Sequence, residues 1–241
     1  NAVNIEQNGT REPVPYVVPP GIDRQVIFGT TAANQQNEQS LSLRILNLED
    51  GDARAVFRNI QFDMRLYKKL RMFVHAEDGF VDPPSGLQDN DLNVFIRLGA
   101  DYDQNYYEFE KPLRVTPVDG TIGENDLQAI WPTENELNFD LDVFKAAKLE
   151  RDRVYRRTGD PILEPYQVPR GDGQVTIVGQ PNLGNVRTIM IGVRNPKKRL
   201  LSDPDDGLPK SAEVWVNELR LTDFDQDGGW AANARVAAKL A

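Results

Sequence analysis

The chain has 241 residues, 39% of them hydrophobic and 27% charged, which is enough for one large β domain or two small ones with a real core and argues against disorder. Lys and Arg number 28 against 37 Asp and Glu, a formal net charge of -9 that repels polyanions and makes nucleic acid a poor partner. With no Cys and a single His, His75, there is no disulfide framework, thiolate zinc site or cysteine nucleophile, and a catalytic triad or histidine-rich metal site is nearly excluded.

The chain opens on Asn1 and carries neither an apolar signal core nor an apolar run of roughly 18 residues, so it reads as a piece of something longer. Residues 1–23 pass through Pro13, Pro15, Pro19, Pro20 and Gly21 with few apolar neighbours, the pattern of an extended, poorly packed linker. Period-two alternation then dominates. It is weakest in Leu41, Leu43 and Ile45, and clearest in Ile60, Phe62, Met64 and Leu66, where Gln61, Asp63 and Arg65 fill the polar positions. It returns in Leu92, Val94, Ile96 and Leu98 and again in Ile189, Ile191 and Val193. Leu70 to His75, Tyr106 to Phe109 and Val175 to Val178 add further strands. The stretches Asp82 to Asp91, Asp101 to Asn105 and Asn195 to Lys210 are rich in the Asp, Asn, Gly and Pro of strand-joining loops.

One segment breaks the pattern. Around Asp140 to Asp152, the helix formers Ala146, Ala147, Lys148, Leu149 and Glu150 follow a cap candidate at Asn138 or Asp140, with Leu141, Phe144 and Lys148 on one face. No βαβ rhythm appears, so the expected fold is mostly β: an antiparallel sandwich with one short helix, spanning residues 24–222. In Glu213 to Leu221 the apolar phase slips from Val214 and Val216 to Leu219 and Leu221, which predicts a bulge near Asn217 and Glu218.

Residues 223–241 read as a loop followed by a strand of another kind. From Trp230 to Leu240, Trp230, Ala232, Ala234, Val236, Ala238 and Leu240 alternate with Ala231, Asn233, Arg235, Ala237 and Lys239. A transmembrane β-strand needs about 9–11 such residues and often an interfacial aromatic, while an ordinary amphipathic strand or a helix is the plainer alternative.

The string WVNELRLTDFDQDGGW from Trp215 to Trp230, with Pro19 to Arg24 (PPGIDR) and Tyr67 to Ala76 (YKKLRMFVHA), resembles the SprA/Sov family, the outer-membrane translocon of the type IX secretion system. The resemblance implies a fragment inserted between barrel strands of a cell-surface and gliding-motility protein, with the chain re-entering the barrel wall near Trp230. It also implies a sandwich similar to jelly-roll carbohydrate-binding and galactose-binding-like domains, without catalytic residues. The implied location is the outer membrane, at the extracellular or periplasmic mouth of the barrel. Implied partners are other type IX outer-membrane proteins, including a shuttle or gate barrel protein and a periplasmic plug, together with secreted cargo.

Candidate sites are few. Asp223, Asp225 and Asp227, followed by Gly228, have the spacing that turns three carboxylates onto one calcium ion. The closing Glu of an EF-hand is replaced by Ala234, so further ligands would have to come from Asp203, Asp205 or Asp206; an acidic turn facing solvent needs no ion. No other cofactor is expected. Tyr102, Tyr106, Tyr107 and Trp131 could together form an aromatic platform for a glycan or a partner, although such residues more often anchor cores and loops. His75, beside Glu77 and Asp78, fits a hydrogen-bonded structural residue better than an acid–base group. The alternatives to a translocon domain are a carbohydrate-binding module and a jelly-roll glycoside hydrolase.

Overall fold

Strands with one apolar and one polar row must bury the apolar row against another layer, and two such layers make a sandwich. The computed structural model describes residues 2–7, 13–22, 26–27, 34–35, 39–78, 85–200, 202 and 205–224. Its strands are β1 (Ala2–Gln7), β2 (Val26–Ile27), β3 (Asn34–Gln35), β4 (Gln39–Leu48), β5 (Ala53–Phe62), β6 (Tyr67–Glu77) and β7 (Asn93–Gly99). Then come β8 (Tyr106–Pro112), β9 (Leu137–Asp140), β10 (Tyr166–Arg170), β11 (Gly173–Val178), β12 (Val186–Arg194) and β13 (Lys210–Phe224). Helices α1 (Leu127–Ile130) and α2 (Asp142–Thr158) lie between β8 and β10.

One sheet has the order β1-β4-β13-β6-β9 and the other β10-β11-β8-β7-β12-β5, while β2 and β3 form a short separate ribbon. Neighbours in both sheets are antiparallel, as the alternation anticipates. The inner faces supply the core. Leu43 and Ile45, Met72 and Val74, and Val214 and Val216 from the five-stranded sheet meet Val94, Ile96 and Leu98, Tyr107 and Phe109, and Val175 and Ile177 from the six-stranded one. Each fully buried apolar side chain of this kind contributes about 1.5–3 kcal/mol relative to exposure.

The bulge is where the phase slip puts it. The register of β13 against β6 shifts between Asn217 and Arg220, and Glu218 takes a left-handed φ of 53°. Two readings change. Ile60, Phe62, Met64 and Leu66 do not form one strand, because β5 stops at Phe62. The Asp63 carboxylate accepts the Arg65 amide at 3.0 Å and the Tyr67 amide donates to the Met64 carbonyl at 3.1 Å, closing a turn across which the alternation continues by coincidence. The helix is the second. Asn138 and Asp140 belong to edge strand β9, so α2 starts beyond both cap candidates, at Asp142, and runs to Thr158. Asp142 in its first turn and Arg156 and Arg157 in its last match the helix dipole, and Gly159 ends it at φ 81°, with its amide donating to the Tyr155 carbonyl.

The described part of the N-terminal stretch is packed rather than free of the sheet. β1 pairs with β4 from Ala2↔Arg44 to Gln7↔Gln39, and Val14 and Tyr16 are buried. Too few apolar residues surround Val14 and Tyr16 for periodicity to reveal this.

Candidate functional site

The outer face of the five-stranded sheet is the most chemically loaded part of the molecule. Alternation within β6 turns Phe73, His75 and Glu77 away from the core, and β13 and β4 present Asn217, Trp215 and Glu213 beside Ser42 and Arg44. The register makes Trp215 the neighbour of His75 on one side and of Ser42 on the other. Two segments close over this face. Tyr16, Ile130 and Trp131 pack against Phe73 and Trp215, and the Trp131 indole N–H donates to the Val17 carbonyl at 2.9 Å. Tyr16 meets Trp131 and Trp215 edge-on, and Asn217 donates to its hydroxyl at 2.7 Å.

Beneath this lid His75 is fully buried. Its Nδ1 lies 2.7 Å from the Ile130 carbonyl and its Nε2 lies 3.2 Å from Glu77 Oε2, while Thr116 Oγ1, 3.2 Å from Nδ1, donates to the Ala129 carbonyl. The hydrogen on Nδ1 therefore points to the Ile130 carbonyl. Glu213 is equally buried and accepts from Ser42 Oγ at 2.7 Å, Arg44 Nε at 2.9 Å and Trp215 Nε1 at 3.1 Å. The His75 contact to the Ile130 carbonyl ties the lid to the sheet, while Glu213 is satisfied by partners within the sheet itself. No group of three or more His, Cys, Asp or Glu side chains fit to hold a metal ion occurs among the described residues.

The four aromatic candidates do not make one platform. Tyr106 and Tyr107 are consecutive on β8, so they point to opposite faces. Tyr107 enters the core, stacks on Phe144 at 5.0 Å and donates to the Pro181 carbonyl, and burial pushes its hydroxyl up to about 12. Trp131 belongs to the lid on the other sheet. Tyr106 lies on the outer face of the six-stranded sheet under the Arg97 guanidinium, 3.8 Å from its ring centre. Arg97 also donates to the Tyr102 carbonyl, so only Tyr102 and Tyr106 share a neighbourhood. The exposed partner of Tyr102 is Phe57, with ring centroids 5.0 Å apart. Sequence reasoning misses Phe57 because a Phe in a strand looks like core.

Between these aromatics runs an ion-pair ladder. Glu108 is buried and accepts from Arg97 Nε at 2.9 Å, Arg97 Nη2 at 2.6 Å and Arg194 Nη1 at 3.1 Å. Arg194 continues to Glu110, which also accepts from Asn93, and covers the Phe95 ring at 4.8 Å. These charges neutralise one another across three strands.

Only part of the calcium candidate lies among the described residues. Asp223 is exposed at the end of β13, with Lys69 Nζ 4.0 Å away, and Asp225, Asp227 and Asp203 lie outside the described residues. Asp205 and Asp206 sit beside the start of β13, where Asp206 pairs with Lys210 at 2.7 Å. Fifteen residues of strand at about 3.3 Å each hold them roughly 45 Å from Asp223, too far to share an ion with it.

At the opposite end of β13 from Lys210 the two sheets part. Ile60, Phe62, Met64, Tyr67, Leu219 and Leu221 line a cavity of about 360 Å³ open to the surface. No helix among the described residues is long and apolar enough to cross a membrane, a statement that does not bear on strands.

The described residues form a mostly β domain, a two-sheet antiparallel sandwich with a small lid over one outer face. The chain belongs to the SprA_N family, described as motility related/secretion protein, whose model matches residues 1–241. Among curated proteins none matches it.

Proposed function

We propose that this chain is a non-catalytic domain of the large outer-membrane β-barrel translocon that exports folded cargo through the type IX secretion system and serves gliding motility. The observation that carries the reading is the match of a motility and secretion family over residues 1–241. The buried His75–Glu77 pair and Glu213 support it, since these side chains are spent on hydrogen bonds within the sheet and, through His75, to the lid.

In this reading the work is mechanical. The sandwich stands at the extracellular or periplasmic mouth of the barrel, shapes the conduit, and meets cargo and neighbouring envelope proteins such as a gate or shuttle barrel and a periplasmic plug. Its acidity, net -9, keeps the conduit surface hydrated. Any calcium on Asp223, Asp225 and Asp227 would brace the exit from β13 and take no part in transport.

The test is secretion of a reporter cargo by cells whose full-length protein has residues 24–222 replaced by a short linker, with the barrel confirmed in the outer membrane. The expected result is cargo trapped in the periplasm. Continued secretion, with loss only of adhesion to a glycan surface, would overturn the reading in favour of a binding module.

A further inference from the structure

The last described strand of the six-stranded sheet is β5, whereas the facing sheet carries β1 outside β4. Val3 of β1 is the register partner of Leu43, which is buried in the main core, yet Val3 is 53% exposed, because no described strand of the six-stranded sheet stands over it. Val3, Leu43 and Ile45 instead meet Arg54 and Val56 of β5 around a cavity of about 180 Å³. Ile60, four residues and roughly 13 Å further along β5, borders the larger cavity between the sheets. These positions share one row. β5 pairs residue for residue with β12 from Ala53 to Asn59, which sets Val56 and Arg58 beside Ile191 and Ile189 on the core side, and Ile60 packs against the same core.

A strand bonded along one side only turns the N–H and C=O of every second residue outward, where they fit another strand and nothing else so well. Of the other sheet edges, β9 has four residues and β10 carries Pro169, while β5 runs for ten residues without proline. Between its two apolar positions stands exposed Arg58, which makes no hydrogen bond or ion pair among the described residues, whereas Arg54 is held by Asp52 at 2.6 Å. A second copy of β5 is a poor match: the antiparallel register that sets Val56 against Ile60 also sets Arg58 against Arg58. We infer that the free edge of β5 receives an extended strand from a partner protein, with apolar side chains opposite Val56 and Ile60 and an Asp or Glu between them opposite Arg58. The added strand widens the sheet over Val3 and closes the smaller cavity, and its outer row lies beside Phe57, itself 53% exposed. Backbone bonds give such strand addition its affinity, and the alternate side chains give its selectivity. The inference goes beyond the secretion reading and rests on the fold alone.

The experiment is fluorescence anisotropy of a labelled peptide, Thr-Val-Thr-Glu-Thr-Val-Thr, titrated with the 241-residue chain, beside a second peptide with Lys in place of Glu. The expected result is saturable binding of the Glu peptide, about fivefold weaker binding of the Lys peptide, and the reverse preference in Arg58→Glu. Circular dichroism checks that the variant is folded, and the two peptides on the unaltered chain make the comparison without it. Strand addition also uses the peptide's own N–H groups, so N-methylation of alternate residues should abolish binding in one phase and spare it in the other. No saturable binding up to millimolar chain, equal binding of the two peptides, or equal loss in both N-methylated phases would each overturn the inference. So would a dimer in sedimentation that the peptide dissociates, which gives the edge to a second copy, or binding that appears only once residues 225–241 are removed, which gives it to the chain's own C-terminal segment. Cargo export plays no part in this assay, so it and the deletion experiment can fail separately.

Discussion

His75 lies flat on Trp215, ring centroids 3.9 Å apart and planes 22° from parallel, with both residues fully buried on the side of the sheet that faces away from the main core. The stack is a second, smaller core, and the segments carrying Tyr16 and Trp131 are held on by it.

Trp215→Ala should therefore destabilise the domain by about 3–5 kcal/mol, the usual cost of emptying a buried Trp site. His75→Ala should cost about 1–3 kcal/mol, since the Ile130 carbonyl and Glu77 each lose a bonded partner. Urea denaturation followed by tryptophan fluorescence measures both. A neutral His75→Ala would mean that the histidine does not pin the lid.

A second prediction concerns the ladder on the other sheet. Glu108 is buried between Arg97 and Arg194, so Arg97→Ala removes two of its three charged hydrogen bonds and should cost about 3 kcal/mol or more. Replacing Arg97 and Glu108 together by Met and Leu should cost much less, because no charge is then stranded. A double-mutant cycle in urea reads the difference; additive costs would show that the pair is not coupled.

Acid should loosen the loop after β7 before it unfolds the sandwich. Partial burial pushes the Asp101 carboxyl up, but the Asn105 side chain and the amides of Gln104, Asn105 and Asp103 outweigh it and hold the group at about 2. A carboxyl depressed below its ordinary 3.8 contributes its full stabilisation above that value and loses it as pH falls from 3.8 toward 2. Carboxyl NMR titration should find Asp101 near the bottom of the range. In Asp101→Asn the stability difference from the wild type should shrink steadily below pH 4; a constant difference would remove Asp101 as the cause.

The bulge offers a gain. Glu218 holds φ 53°, a conformation that costs a residue with a Cβ about 1 kcal/mol and costs Gly almost nothing. Glu218→Gly should raise stability by roughly 0.5–1 kcal/mol, and Glu218→Val should lower it by more. Thermal melts of the two variants check this, and equal melting temperatures would mean that the bulge relaxes.

The strands that faced one wet and one dry layer could be read from sequence, because burial on one side forces period two, as in Val94, Ile96 and Leu98. Even the bulge was legible, since one inserted residue flips every later side chain and the slip from Val216 to Leu219 records it. What alternation could not show was a face apolar on both sides. Trp215 and Phe73 point outward yet are buried, because a lid built from the sequence-distant segments of Tyr16 and Trp131 covers them. For the same reason the aromatic candidates were misgrouped: Tyr106 and Tyr107 are adjacent in the chain and separated by a sheet, whereas Phe57 and Tyr102 are distant in the chain and touch.

The strand order sets a schedule. β13, made of residues 210–224, fills the middle of its sheet, between β4 and β6, and brings Trp215 to His75. Until it is delivered, β4 and β6 face each other across a vacant track, with two bare edges of the kind that capture stray strands. A chain threaded across an envelope from its N-terminal side would hold that seam open through most of its passage and shut it in a single late step. Closing of the seam, lid included, is then a built-in report that residues 210–224 have arrived.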